Sequence, residues 1–262
     1  MNQSVLKALQ LLNYFSTETP ELTLKELTQK SGMPKPTVYR LLTAMEHQHV
    51  LSKTKENEHD SKYQLGLKLL ELGQLVSDQL EVRTIALPDM ERLGTDINEA
   101  VHLVIADQGE AVYIEKVDSS RALRLNTRIG KRSPLHLGSG PKMLLANMAR
   151  EQQQDMVNKA ERFYAADHQP INKDRLLQEL GAIYKNGYAY SIGEQDPDTT
   201  GISYPIHDYN NQVIAALAVS GLSSHFDGEN LDVLKAKTRQ TAGAISRKLG
   251  YRGPTWQQGD DD

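Results

Sequence analysis

Residues 23–45 read TLKELTQKSGMPKPTVYRLLTAM, and this stretch decides the fold. Glu26 follows Thr23 at the spacing of a capping box, which predicts a helix that begins there. Gly32 is placed to take the left-handed conformation that ends this helix. Pro34 suits the first turn of a second helix, where its missing N–H is no loss. The stretch therefore predicts two helices joined by a tight turn.

The second of these helices has an apolar side and a polar side. Val38, Leu41, Leu42 and Met45 recur at i, i+3, i+4 and i+7, which predicts one buried stripe. The opposite side carries cations and hydroxyls: Lys35, Thr37, Tyr39, Arg40 and Thr43. A face of this kind on the second of two closely joined helices fits the major groove of DNA. We interpret the five polar residues as DNA contacts.

A first helix over 4–15 and a hairpin over 51–65 complete an N-terminal domain, residues 1–66. The hairpin has short strands at 51–53 and 62–65 around the polar tip 54–61, as in the wing of a winged helix-turn-helix. Lys53 and Lys62 are candidates for phosphate contacts there. A solvated charged hairpin with no DNA contact explains either lysine equally well.

Residues 67–84 form the predicted linker. Leu65, Leu69, Leu72, Val76 and Leu80 step by three or four along one face, which predicts a long helix through about Val82. Its position favours a linker that also pairs with its counterpart in a dimer, and an ordinary core helix is the alternative.

Residues 85–251 form the predicted C-terminal domain, and 252–262 a disordered tail. Strands are predicted at 100–106, 111–117, 121–127, 188–191, 201–207 and 213–220, helices at 85–98, 138–149, 151–162, 173–186 and 230–249, and a polar loop at 130–134. Because hairpins predominate, we expect a largely antiparallel sheet with flanking helices, an α+β fold.

Composition narrows the class of protein. The 262 residues suffice for two modest domains, and the absence of cysteine excludes disulfides, Cys-ligated zinc, iron–sulfur clusters and thiol catalysis. The net charge is −4, and residues 1–65 hold eight Lys/Arg against seven Asp/Glu, so DNA recognition rests on a local cationic face. No apolar run predicts a membrane span and no leader predicts export. We expect a cytoplasmic protein with no membrane partner.

Enzyme motifs are weak throughout. His47 and His49 have H-x-H spacing, but their position at a helix end is typical of solvated residues rather than of metal ligands. Gly138-Ser-Gly140 does not satisfy the G-x-S-x-G pattern of a nucleophile elbow. A cation site at Glu194, Asp196 and Asp198 is conceivable, but a capped polar loop is the commoner explanation. We therefore predict no catalysis, no cofactor and no metal.

Four motifs in order along the chain resemble the IclR family of bacterial transcription regulators. They are MPKPTVYRLL (33–42), KYQLGLKLLELG (62–73), RSPLH (132–136) and ALAVSG (216–221). Within the family, 112–118 (VYIEKVD) with 123–132 is most similar to the ketodeoxygluconate repressors.

The resemblance implies a winged helix-turn-helix, a linker helix and a GAF-like effector-binding domain. It also implies homodimers, or dimers of dimers, on palindromic double-stranded operators. The implied DNA contacts are Lys35, Thr37, Tyr39 and Arg40, with Pro36 replacing a serine found in many members. The implied effector, a small organic acid or sugar acid, would bind at Leu125, Gly138, Ser139, Gly140, Glu194, Ser203 and Ser220.

The residues of the turn at 138–140 are themselves suited to binding a small acid. The glycine-containing turn at 138–140 opens a helix, whose exposed amides favour a carboxylate, although a simple tight loop explains the glycines equally well. We therefore expect a ligand-responsive regulator, a repressor of a sugar-acid catabolic operon. The alternative is a sensor or adaptor whose winged helix contacts protein, which predicts DNA affinity with little sequence preference.

Overall fold

A computed structural model of the chain describes residues 2–55, 61–121, 127–160 and 172–253. It divides into two compact units, Met1–Gln79 and Leu80–Asp262. The helices are α1 (Gln3–Leu12), α2 (Leu24–Ser31), α3 (Lys35–His47), α4 (Leu67–Asp78), α5 (Glu81–Ile97), α6 (Ser139–Ala146), α7 (Arg150–Ala160), α8 (Lys173–Asn186) and α9 (Gly228–Lys248). The strands are β1 (Glu21–Thr23), β2 (Leu51–Lys55), β3 (Ser61–Leu65), β4 (Ala100–Asp107), β5 (Glu110–Val117), β6 (Arg132–Pro134), β7 (Ala189–Ile192), β8 (Thr199–His207) and β9 (Val213–Leu222).

Some predictions fall outside the described residues. These are most of the wing tip (56–60), the centre of the strand predicted at 121–127 (122–126, with Leu125), the end of the helix predicted at 151–162 (161–162), and all but the first two residues of the tail (254–262).

The first unit is a winged helix-turn-helix, as predicted. Thr23 caps α2 with both bonds of the capping box, and Gly32 ends that helix at φ +65°. The antiparallel sheet β1-β3-β2 includes a strand that we did not predict, in which Leu22 pairs with Tyr63. A strand of three residues is too short for an alternating pattern to reveal it.

The linker prediction was wrong in one respect, the length of its helix. Helix α4 ends at Asp78, and Leu80 has a non-helical φ of −87° and ψ of 85° before α5 begins at Glu81. Leu80 and Val82 pack against the core of the second unit, so these two side chains belong there. The regular spacing of the leucines could not reveal that Leu80 packs against the second unit instead of continuing the apolar face of α4.

The second unit is α+β with an antiparallel six-stranded sheet in the order β6-β5-β4-β9-β8-β7, which confirms the predicted GAF-like class. The prediction of a loop at 130–134 was wrong in part, because β6 pairs with β5 through Ala111 and Ser133. Its three residues include a proline at the sheet edge, where a missing N–H is tolerated.

Helices cover both faces of this sheet. One buried cluster joins it to α5 and α9, and the other joins it to α6, α7 and α8. Along β9, Leu217 and Val219 belong to the first cluster, whereas Ala216 belongs to the second. Side chains alternate along a strand, so Ala218 and Ser220 also face α6. The pocket described below lies on that side.

No helix in the described part of the chain is long and apolar enough to cross a membrane.

Candidate DNA-binding face and ligand pocket

Helix α3 presents the predicted polar face to solvent. Val38, Leu41, Leu42 and Met45 are buried. Lys35, Tyr39, Arg40 and Thr43 are exposed and Thr37 is half-buried. Tyr39 is 53% exposed. The Thr43 hydroxyl donates a hydrogen bond to the Tyr39 carbonyl at 2.9 Å, so it has to exchange that bond to donate to a phosphate.

The two wing lysines have neighbours of their own. Lys53 Nζ lies 5.8 Å from the centre of the Tyr63 ring, a cation–π contact. Lys62 Nζ lies 3.7 Å from Glu21 Oε2. The Glu21 contact depends on β1, which pairs beside β3, and it reduces the net positive charge that Lys62 presents. Of the two ammonium groups, that of Lys62 therefore has a carboxylate neighbour, whereas that of Lys53 lies against an aromatic ring.

A pocket of about 50 Å³ lies between α6 and the sheet of the second unit. Five of the predicted effector residues line it: Gly138, Ser139, Gly140, Glu194 and Ser220. Ser203 does not line it; this residue is fully buried on β8 between Ala189 and Ala218. Leu125 lies outside the described residues. A cavity of this size has room only for a small molecule.

Close packing shapes the pocket wall. Gly138 has φ +93°, and a Cβ there would lie 2.7 Å from Gln195 Nε2. A Cβ on Gly201 would lie 2.7 Å from the Ser139 hydroxyl. At both glycines a polar side chain lies where a Cβ would stand, which adds a packing reason to the left-handed turn at Gly138.

A buried ion-pair cluster lies beside the start of α6. Lys142 is 1% exposed, and its ammonium bonds to the carboxylates of Glu179 and Glu194. Glu194 also accepts a hydrogen bond from the Gly138 backbone N–H at 2.8 Å. The sequence did not indicate whether Lys142 faces in or out, and the structure places it inside.

Several pocket residues were missed. His102 Nε2 lies 2.9 Å from Ser220 Oγ, and burial, with a smaller contribution from Lys116, lowers the pKa of His102 to about 3. The imidazole is therefore neutral at pH 7. Gln195 Nε2 donates to the Leu137 carbonyl at 2.8 Å and lies 3.1 Å from the Tyr113 hydroxyl, whose pKa is raised by burial. The sequence did offer one signal for such residues, which is a polar residue such as His102 inside an otherwise apolar strand.

The acidic side chains of the 194–198 loop do not lie together in the described structure. Glu194 is committed to Gly138 and Lys142, while Asp196 and Asp198 are exposed. Among the residues that the structure describes, no group of three or more His, Cys, Asp or Glu side chains is arranged to hold a metal ion.

Comparison with known proteins gives matches over both units. A model of the IclR helix-turn-helix domain matches residues 4–54, and one of the bacterial transcriptional regulator IclR C-terminal domain matches residues 74–247. The chain is 38% identical to the HTH-type transcriptional regulator KipR of Bacillus subtilis over 95% of this chain and 98% of that protein. It is 33% identical to the HTH-type transcriptional regulator KdgR of Dickeya chrysanthemi over 95% of this chain and 80% of that protein.

A solved structure has a similar fold over most of the chain. It is an IclR homolog from Microbacterium hydrocarbonoxydans complexed with 4-hydroxybenzoate, with a TM-score of 0.81 and 24% identity. The alignment covers 94% of this chain and 99% of that one.

Proposed function

The chain belongs to the IclR family of bacterial transcription regulators, and from that premise we propose that it is a dimeric repressor of a sugar-acid catabolic operon. It is a ligand-responsive DNA-binding transcription regulator, and its family is not one of enzymes. The observation that carries the proposal is that one unit exposes a cationic helix face and the other encloses a small polar pocket.

The proposed DNA contacts lie on α3 and on the wing. α3 enters the major groove of a palindromic operator, with Arg40 and Lys35 as its cations and Thr37, Tyr39 and Thr43 as hydroxyl contacts. Lys53 and Lys62 meet phosphates beside the groove. The exposure of this face supports the assignment, because the side chains of α3 can then reach base edges while the core of the first unit stays folded.

The proposed effector is a small hydroxylated or keto acid. Hydroxyls and backbone amides line the pocket at Ser139, Gly140, Ser191, Thr200 and Ser220, which suits a molecule with several oxygen atoms. The resemblance to the ketodeoxygluconate repressors favours a sugar acid. The relative that was solved with 4-hydroxybenzoate is consistent with a carboxylic acid as the class of ligand.

A gel-shift titration tests this function. The full chain is titrated against DNA upstream of its own gene and neighbouring genes, with and without 2-keto-3-deoxygluconate and 4-hydroxybenzoate. Tight binding that one acid releases supports an acid-responsive repressor. Tight binding that no acid alters retains the DNA role and refutes the effector, and affinity no greater than for unrelated DNA refutes operator binding on these fragments.

Dimer formation through α4 is the second part of the proposal. In the described chain Leu67, Leu70, Leu75 and Val76 on α4 are 78%, 69%, 59% and 60% exposed. Apolar surface of this extent on one helix is typical of a protein–protein contact. The counterpart α4 of a second chain is the proposed partner, in a homodimer or a dimer of dimers.

We expect Leu70→Glu to raise the dimer dissociation constant by at least about tenfold, because a buried leucine contributes about 1.5–3 kcal/mol. Sedimentation velocity over a range of concentrations measures this constant. Gln152→Glu places the same charge on an exposed position of α7 in the second unit and serves as the matched control. If the two variants dimerise equally well, α4 is not the interface.

A further inference from the structure

The side chain of Glu194 occupies the position that an acid ligand would need. One carboxylate oxygen, Oε2, accepts from the Gly138 N–H at 2.8 Å, immediately before α6 begins. The other, Oε1, accepts from Lys142 Nζ at 2.5 Å. A backbone amide at a helix start and an ammonium are the donors by which proteins bind small carboxylates. In this chain an internal carboxylate already uses both.

The charges around the pocket make a second carboxylate unfavourable beside the first. Lys142 is 1% exposed and is already paired with both Glu179 and Glu194. Glu194 and Asp196 line the pocket, and its described lining contains no lysine or arginine. A carboxylate that entered beside Glu194 would therefore meet like charges and no uncompensated cation at short range.

We propose that Glu194 is a displaceable internal ligand, and that an acid effector binds by exchanging with it at the Gly138 N–H and the Lys142 ammonium. The inference rests on the proposed function only in taking this pocket as the effector site. The exchange makes Glu194 a specificity-determining residue. Because one carboxylate replaces another, a simple acid gains little net binding energy. An acid binds well only if its hydroxyl or keto groups also bond to the polar wall.

The position of Glu194 allows this exchange. Its side chain is 25% exposed, so the displaced carboxylate can turn toward water. The loop that carries it runs from β7 to β8 and starts at Gly193 with φ +64°. The next residue, Gln195, bonds to the Leu137 carbonyl and to Ser133 Oγ, which holds the loop to β6 and the turn after it. Exchange removes the attachment of Glu194 to Gly138 and Lys142 and leaves the hydrogen bonds of Gln195 in place. Loss of that attachment is the structural change that the effector would impose.

Rescue by acetate tests the proposal without DNA and without the natural effector. Thermal unfolding of the full-length Glu194→Ala variant is followed in sodium acetate and in sodium chloride of equal ionic strength. Removing the side chain opens the anion position, so acetate at about ten times its dissociation constant should raise the Tm of the variant by at least about 3 °C. Wild-type protein, in which Glu194 fills that position, should show no acetate-specific rise.

Asp198→Asn is the matched control, because it removes one carboxylate from the same loop. Asp198 is exposed, and its φ of +59° is a conformation that asparagine tolerates. This variant should respond to acetate as wild type does. An equal response of Glu194→Ala and wild type, or no response of either, would overturn the proposal.

If Glu194→Ala does not fold, the same titration is made on Glu194→Gln, which has nearly the same volume. A neutral amide competes less well for the two donors, so acetate should stabilise this variant more than wild type. An equal or smaller response again contradicts the exchange. Because no DNA is present, a failure of the repressor proposal in the gel-shift experiment leaves these outcomes unchanged.

Discussion

Arg40→Ala is expected to reduce operator affinity by about 30-fold to 10⁴-fold, since an arginine that reads a base contributes about 1–3 kcal/mol and a dimer uses two. Arg40 is exposed on α3 beside Tyr39 and is not part of the buried stripe, so the variant should fold and dimerise normally. Fluorescence anisotropy with a labelled operator fragment measures the affinity at several salt concentrations.

The salt dependence identifies the kind of contact that Arg40 makes. Loss of a base contact lowers affinity for the operator far more than for unrelated DNA. Loss of a phosphate contact lowers both and, because a dimer loses two such contacts, reduces the salt slope by about two. Arg252→Ala removes an exposed arginine from the second unit and should leave operator binding unchanged. Unaltered operator affinity in Arg40→Ala would refute the docking of α3.

Lys142→Met is expected to lower the free energy of unfolding of the second unit by about 3 kcal/mol, because it leaves carboxylates beside a buried position without their cation. Methionine retains most of the aliphatic stem, so the change tests the charge rather than the packing. This decrease in unfolding free energy lies at the low end of the range for removing one partner of a buried ion pair, because both carboxylates are partly exposed. Glu194 and Glu179 are 25% and 37% exposed and can partly turn to water.

Urea unfolding measures this change in free energy. Because the chain consists of two units, the unfolding of each unit is analysed separately. Lys237→Met is the matched control, since Lys237 pairs with Asp96 at 2.7 Å and their side chains are 35% and 59% exposed. A surface pair of this kind contributes at most about 1 kcal/mol. If the two variants lose equal stability, the Lys142 cluster does not stabilise the fold.

Local patterns were sufficient for the first unit. The capping box at Thr23, the left-handed Gly32 and the apolar stripe on α3 each act within a few residues, so they could be read before any tertiary contact was known. Short elements were harder. β1 and β6 have three residues each and exist because a neighbouring strand completes their hydrogen bonds.

The pocket of the second unit could be predicted only in outline. The resemblance pointed to seven residues, of which Gly138, Ser139, Gly140, Glu194 and Ser220 line one cavity, Ser203 does not, and Leu125 lies outside the described residues. It did not point to the missed lining residues, which are distant in sequence and meet only because strands and loops from different parts of the chain converge. Gln195 and Tyr113, for example, lie 82 positions apart.

By itself the sequence determined the helix-turn-helix, the antiparallel class of the second unit and the family, because periodicity, caps and ordered motifs are local properties of the chain. Tertiary structure alone decided that α4 stops at Asp78, that Lys142 is buried and that Glu194 holds the start of α6. Each of these depends on a partner far along the chain. The inward direction of Lys142 and Glu194 follows from the charges that packing brings beside them, and no local pattern specified it.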